Sequence, residues 1–110
     1  MACACGLSGS LIIDVGATSE RRSKPQRSQG PNALFSIEVL EVDAVDDLVV
    51  SIMHKLPTAT SYTQAGAFSA ISSTGVYTLH VTGLKRDYYW LYECPDGKYI
   101  VNAPTVQTLL

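Results

Sequence analysis

The chain has 110 residues, 46% of them apolar, and a formal net charge of -2. That length supports one core, because two would each sit near the size where burial barely offsets chain entropy. No apolar run approaches the roughly 18 residues of a membrane span, and a slightly acidic chain does not suit a partner whose many phosphates must be neutralised. Membrane insertion and specific nucleic-acid binding are therefore set aside, and a soluble domain is expected.

The opening Met1-Ala2-Cys3-Ala4-Cys5-Gly6 has no basic start and no long apolar stretch before a cleavage site, so it does not read as a secretory signal. Synthesis and assembly inside a cell are expected. Cys3 and Cys5 are too close to staple distant elements, and Cys94 has no evident mate, so free thiols are the expectation. Those cysteines with His54 and His80 match no zinc spacing, and no metal or other cofactor is expected.

Residues 11–15, Leu-Ile-Ile-Asp-Val, form a short β-branched run that reads as a strand, added to the main sheet or to a neighbouring subunit. Residues 16–33 are rich in Ser, Gly, Pro, Gln and Arg, with almost no large apolar side chain. Such composition cannot bury enough surface to order itself, so a flexible arm fixed on a partner is expected. The division falls at 1–33, an N-terminal strand with a basic arm, and 34–110, the folded domain. Arg21, Arg22, Lys24 and Arg27 cluster in the arm, whereas Glu38, Glu41, Asp43, Asp46 and Asp47 form an acidic block soon after.

From residue 34 the apolar period is two. Phe35, Ile37 and Val39 share one face; the phase then slips to Leu40 and Val42, and one extra residue near Val39-Leu40 restores a single buried face. A bulge is expected there. Residues 44–47 turn the chain, and Leu48, Val50 and Ile52, with Val49 and Met53 opposite, give a central strand covered on both faces. The loop 56–61 ends it. Residues 62–71 read as a short bulged strand around Gly66 that points Phe68 and Ile71 inward. Ser72-Ser73-Thr74-Gly75 reads as a turn before the strict alternation of Tyr77, Leu79 and Val81, which predicts a hairpin. After 83–87, Tyr88, Trp90 and Tyr92 alternate with Tyr89, Leu91 and Glu93. Pro95-Asp96-Gly97-Lys98 turns into a strand through Tyr99 and Val101, and the tail 105–110 extends it or pairs with a partner.

Short strands at even spacing, without a helix of three turns, predict an all-β, antiparallel sandwich, jelly-roll-like or immunoglobulin-like, with an extended N-terminal arm. No catalytic signature accompanies it. His54 and His80 lack a positioned nucleophile or acid nearby, and Asp43, Asp46 and Asp47 lack the spacing of a calcium loop and read as a solvated turn. Gly6-Leu-Ser-Gly-Ser10 has Ser where a nucleophile elbow needs its second Gly. Tyr89, Trp90 and Tyr99 are the candidate surface aromatics, able to stack on sugar rings or bases. The basic cluster is the candidate partner-binding element.

Four stretches carry a family resemblance: Asp47-Leu-Val-Val-Ser-Ile-Met, Tyr62-Thr-Gln-Ala-Gly-Ala-Phe-Ser-Ala-Ile, Gly75-Val-Tyr-Thr-Leu-His-Val-Thr-Gly-Leu and Tyr88-Tyr-Trp-Leu. Together, over residues 34–103, they resemble small β-sandwich structural proteins of tailed bacteriophages. The sequence departs from that pattern in offering 57–61 where an Asp-Gly-x-x-Trp loop is usual, and Trp90 where Arg is common. The resemblance implies a non-enzymatic minor capsid or capsid-decoration protein, assembled in the host cytoplasm and present in the virion as a homo-oligomer. The major capsid protein or other virion proteins would be its partners. The competing readings are a carbohydrate-binding sandwich module, a tail or connector component and, ranked last, a small hydrolase or metal enzyme.

Overall fold

Ten strands and no helix form among the residues described by a computed structural model, which are 10–14, 20–44, 47–93, 97–102 and 104–109. The first sheet contains β1 (Ser10–Asp14), β4 (Ala33–Ala44), β7 (Gly75–Val81), β9 (Gly97–Asn102) and β10 (Thr105–Thr108). The second contains β2 (Glu20–Arg22), β3 (Gln26–Arg27), β5 (Val49–Lys55), β6 (Thr63–Ala67) and β8 (Asp87–Glu93). Every pairing is antiparallel.

Four of these strands are halves of two longer ones. β9 and β10 follow one another along the same side of β4, opposite β7, from Gly97 beside Ala44 to Thr108 beside Ala33. Likewise β2 and β3 follow one another along the side of β8 that β5 leaves free. Counting each interrupted pair as one strand leaves eight, ordered 1-8-3-6 in the first sheet and 2-7-4-5 in the second. That order is the jelly-roll connectivity, in which most links cross between sheets, and it selects one of the two sandwich types expected. The run at 11–15 likewise resolves: its described part, β1, pairs with β9 of its own chain.

Alternation fills the space between the sheets. Phe35, Ile37, Val39 and Val101 point in from the first, Val50, Ile52, Tyr88, Trp90 and Tyr92 from the second, and all are buried. Burying each such side chain contributes about 1.5–3 kcal/mol relative to leaving it in water. Trp90 is the hub. Its ring meets Phe35 edge-on at 5.4 Å and stacks with Phe68 at 5.9 Å and Tyr92 at 6.3 Å. Tyr99 is buried too, and its hydroxyl donates to the carbonyl of Ile71 at 3.1 Å, which satisfies the one polar atom it brings inside.

The expected bulge is present: the β4–β9 register shifts between Val39 and Glu41, leaving Leu40 as the extra residue, 41% exposed. The strand at Gly66 is bulged as well, its register with β5 shifting between Ile52 and Met53, and Phe68 and Ile71 point inward. β5 is central, between β6 and β8.

The expected hairpin across 72–75 does not form. β6 pairs with β5 in the second sheet, whereas β7 pairs with β4 in the first. The chain beyond β6 stays tied to the second sheet through Phe68 N–H to Val50 C=O at 2.9 Å and a Leu48–Ile71 bridge. Only then does it cross. Gly75, at φ +142°, opens β7, and Gly83, at φ +71°, follows it, both in backbone that side chains resist. β6 and β7 still approach at the corner, where a Cβ on Gly66 would stand 3.3 Å from Leu79 Cδ2.

The arm is the second correction. Residues 20–22 and 26–27 lie along β8 as edge strand, while the rest of the arm as far as residue 19, apart from β1, falls outside the described residues, as do the cysteines and turn positions 45–46 and 95–96. Between the halves, Ser23 N–H donates to Trp90 C=O at 2.9 Å and Trp90 N–H donates to Ser23 Oγ at 2.8 Å. A side-chain hydroxyl thus stands in for a backbone carbonyl just before Pro25, which has no N–H to give. Low apolar content argued against a buried segment, but an edge strand is held by its ladder and needs none.

Candidate functional site

The basic residues sit on the ladder at the edge of the second sheet. Arg21 is the register partner of Tyr92, and Arg22 is opposite Leu91 with its guanidinium 5.5 Å from the Tyr89 ring centre. Lys24 is exposed between the two halves, and Arg27 is exposed opposite Asp87. The Asp87 carboxylate lies 3.8 Å from the Lys55 ammonium, and neither Lys24 nor Arg27 forms an ion pair among the described residues. Exposed Arg86 adds to the same end, where its carbonyl accepts from Ser28 N–H at 2.8 Å. The acidic residues lie elsewhere: Glu38, Glu41 and Asp43 are exposed along β4 of the first sheet. The basic cluster and that acidic group are therefore carried by different sheets.

The three candidate surface aromatics separate. Trp90 and Tyr99 are core residues, 2% and 1% exposed, because β8 sends its even positions inward and β9 its odd ones. Tyr89 does lie on the outer face, but at 6% exposure it offers no open ring. Tyr62 packs against it at 4.8 Å and 77°, and Arg22 stands over its ring. A stacking platform needs a free aromatic face, and this one is covered.

The concavity that sequence reading missed is a cleft of about 310 Å³ between the edges of the two sheets. Ala33, Leu84, Tyr88, Trp90 and Val106 form its floor with little of their surface showing, so the cleft presents a mainly polar wall, to which Gln26, Arg27, Gln29 and Thr108 contribute as its rim. Tyr88 donates its hydroxyl proton to Gln26 Oε1 at 3.1 Å, tying floor to rim, and burial pushes the Tyr88 phenol above its ordinary pKa. No local motif encodes this place. It is assembled from segments near residues 26–30, 84–90 and 104–108, which only the fold brings together.

The two histidines are on different sheets. His54 is 8% exposed, and its Nδ1 accepts from Lys85 N–H at 3.1 Å. Burial, and then the nearby Lys85 charge, hold its pKa below the ordinary 6.5, so it is a neutral acceptor near pH 7. His80 is exposed on β7. Among the described residues, no three His, Cys, Asp or Glu side chains gather where they could hold a metal ion. Comparison with protein-family models and with curated proteins finds no match.

Proposed function

We propose that this chain is a non-enzymatic virion structural protein, a minor capsid or capsid-decoration protein that stabilises a shell by repeated protein contacts. The observation that carries the reading is the jelly-roll body whose short edge strands β2 and β3 hold exposed Lys24 and Arg27, neither of them ion-paired among the described residues. Jelly rolls recur in capsid and lectin domains, so the fold alone does not choose between them. The aromatic geometry does favour one. A sugar-binding sandwich needs exposed rings, and Trp90, Tyr99 and Tyr89 are all buried or covered.

The resemblance to tailed-phage structural proteins supports the same reading, with the major capsid protein or another virion protein as partner and the chain present as a homo-oligomer. The mechanism would be additive. Modest contacts repeated around a symmetric shell raise its stability through effective concentration, and no strong single site is required. The test is density-gradient fractionation of particles from producing cells, followed by mass spectrometry. Co-migration with full or empty shells at many copies each supports the proposal, as co-migration with isolated tails would move it to a tail or connector component. Recovery in the soluble fraction alone would overturn it.

A further inference from the structure

β7 is an edge strand with nothing laid along it. Among the described residues its one ladder partner is β4, which separates it from β9, β10 and β1. The residues that flank it, 72–74 and 82–86, are described, and no backbone bond outside the β4 ladder reaches Gly75–Val81. Alternate residues of β7 therefore turn their N–H and C=O groups to solvent along a strand of seven residues, roughly 23 Å.

Sheet edges commonly carry devices that prevent pairing with another chain, and the edges of the second sheet have them. β6 has an extra residue at Ala65, and the β2–β3 edge is broken around Pro25 and carries Arg21, Arg22, Lys24 and Arg27. β7 has none of these. Its register with β4 runs from Gly75 to Val81 without a shift, and the strand holds no Pro, Lys, Arg, Asp or Glu. Val76 on its outer face is 66% exposed, the most exposed of the large apolar side chains described, and Tyr77 and Leu79 on its inner face are only partly buried.

We propose that β7 pairs antiparallel with β7 of a second copy about a two-fold axis at Thr78, so that the first sheets of the two chains form one continuous sheet. The segment is self-complementary in this register. Thr78 meets Thr78 of the second copy, Tyr77 meets Leu79, Val76 meets His80 and Gly75 meets Val81, each pair occurring twice except the one on the axis. Thr–Thr and aromatic–aliphatic pairs are favourable cross-strand neighbours, and the Tyr77–Leu79 pairs would cover flanks that the single chain leaves partly open. The paired segments bring no Lys, Arg, Asp or Glu together, so a second copy meets no repulsion there, whereas a charged partner strand would find no counter-charge on β7. The inference rests on reading the chain as a homo-oligomeric contact protein and names the surface that joins the copies.

Sedimentation velocity of the full chain over a range of concentrations tests this, and a concentration-dependent dimer is expected. Thr78 is exposed, so substitutions there spare the core, which unchanged near-ultraviolet circular dichroism verifies. Thr78→Lys and Thr78→Glu each set like charges directly opposite one another at the axis and should weaken the dimer about fivefold. An equimolar mixture of the two should restore it as a mixed dimer, and Thr78→Val should leave it intact. A chain that stays monomeric at every concentration, a dimer insensitive to Thr78→Lys, or charged variants that do not recover on mixing would overturn the proposal. A monomer that loses particle association on Thr78→Lys would give the edge to another virion protein and equally end self-pairing. Particle association is scored separately on the gradient. A monomer that still co-migrates removes only this interface, and a dimer that does not co-migrate removes only the virion assignment.

Discussion

The two sides of β8 are held in different ways. Toward β5 it is paired without a break from Asp87 to Glu93, and Tyr88, Trp90 and Tyr92 project from it into the core. Toward solvent it is met by two short pieces, β2 and β3, spliced by Ser23, with side chains that are mostly exposed. The first sheet repeats the contrast, a continuous twelve-residue β4 at its centre and β7, of seven residues, outside it. Apolar packing thus secures the centre, whereas backbone bonds secure the edges. Contact chemistry belongs at the edges because they can change partners without unmaking the core.

The largest effect expected from breaking the centre is at Trp90. Trp90→Ala removes the ring that joins Phe35, Phe68 and Tyr92, and is expected to cost about 3–5 kcal/mol in urea unfolding. His54 comes next, a polar group in the central strand β5. His54→Ala leaves the Lys85 N–H without its acceptor, at about 1–3 kcal/mol.

The same histidine makes the centre sensitive to acid. Its folded pKa lies below the unfolded 6.5, so the unfolded chain takes up the proton first, and this contribution is lost as pH falls through 6.5 toward the folded value. Its ladder neighbours are Tyr88 and Thr63, with the Lys85 charge close by, and none supplies an anion to offset the proton. Unfolding at pH 7.5 and pH 5 should show a larger loss for the wild type than for His54→Gln. Equal losses would remove this histidine from the account.

The edge should respond less. Ser23→Ala deletes the hydroxyl that accepts from Trp90 N–H, for about 1 kcal/mol, and should speed exchange of that amide more than it lowers global stability. Lys24→Ala is expected to change stability by less than about 0.5 kcal/mol, because the side chain is exposed.

What could be read in advance follows the same line. The inward phases of Phe35–Ile37–Val39 and Tyr77–Leu79–Val81, and the slip that betrays Leu40, are side-chain signals, so the sequence displays them directly. Pairing is not displayed. The short link before Gly75 looked like a hairpin turn, yet the Leu48–Ile71 bridge sets where the chain crosses sheets. The 20–27 segment looked free because composition counts burial and not ladder bonds. β8 carries aromatics on both faces, so alternation alone could not choose which lay inside. The cleft required three distant segments to meet, which no local window contains.

The claim beneath all of this is that apolar packing secures the centre of the sandwich while backbone bonds secure its short edge strands. Residue-resolved hydrogen exchange on the isolated chain tests it most directly. The account predicts the slowest exchange at Tyr88–Tyr92 and faster exchange at the amides of Arg21–Arg22 and Gln26–Arg27 in the edge pieces β2 and β3. Protection of the β2 and β3 amides matching that of the core would contradict it.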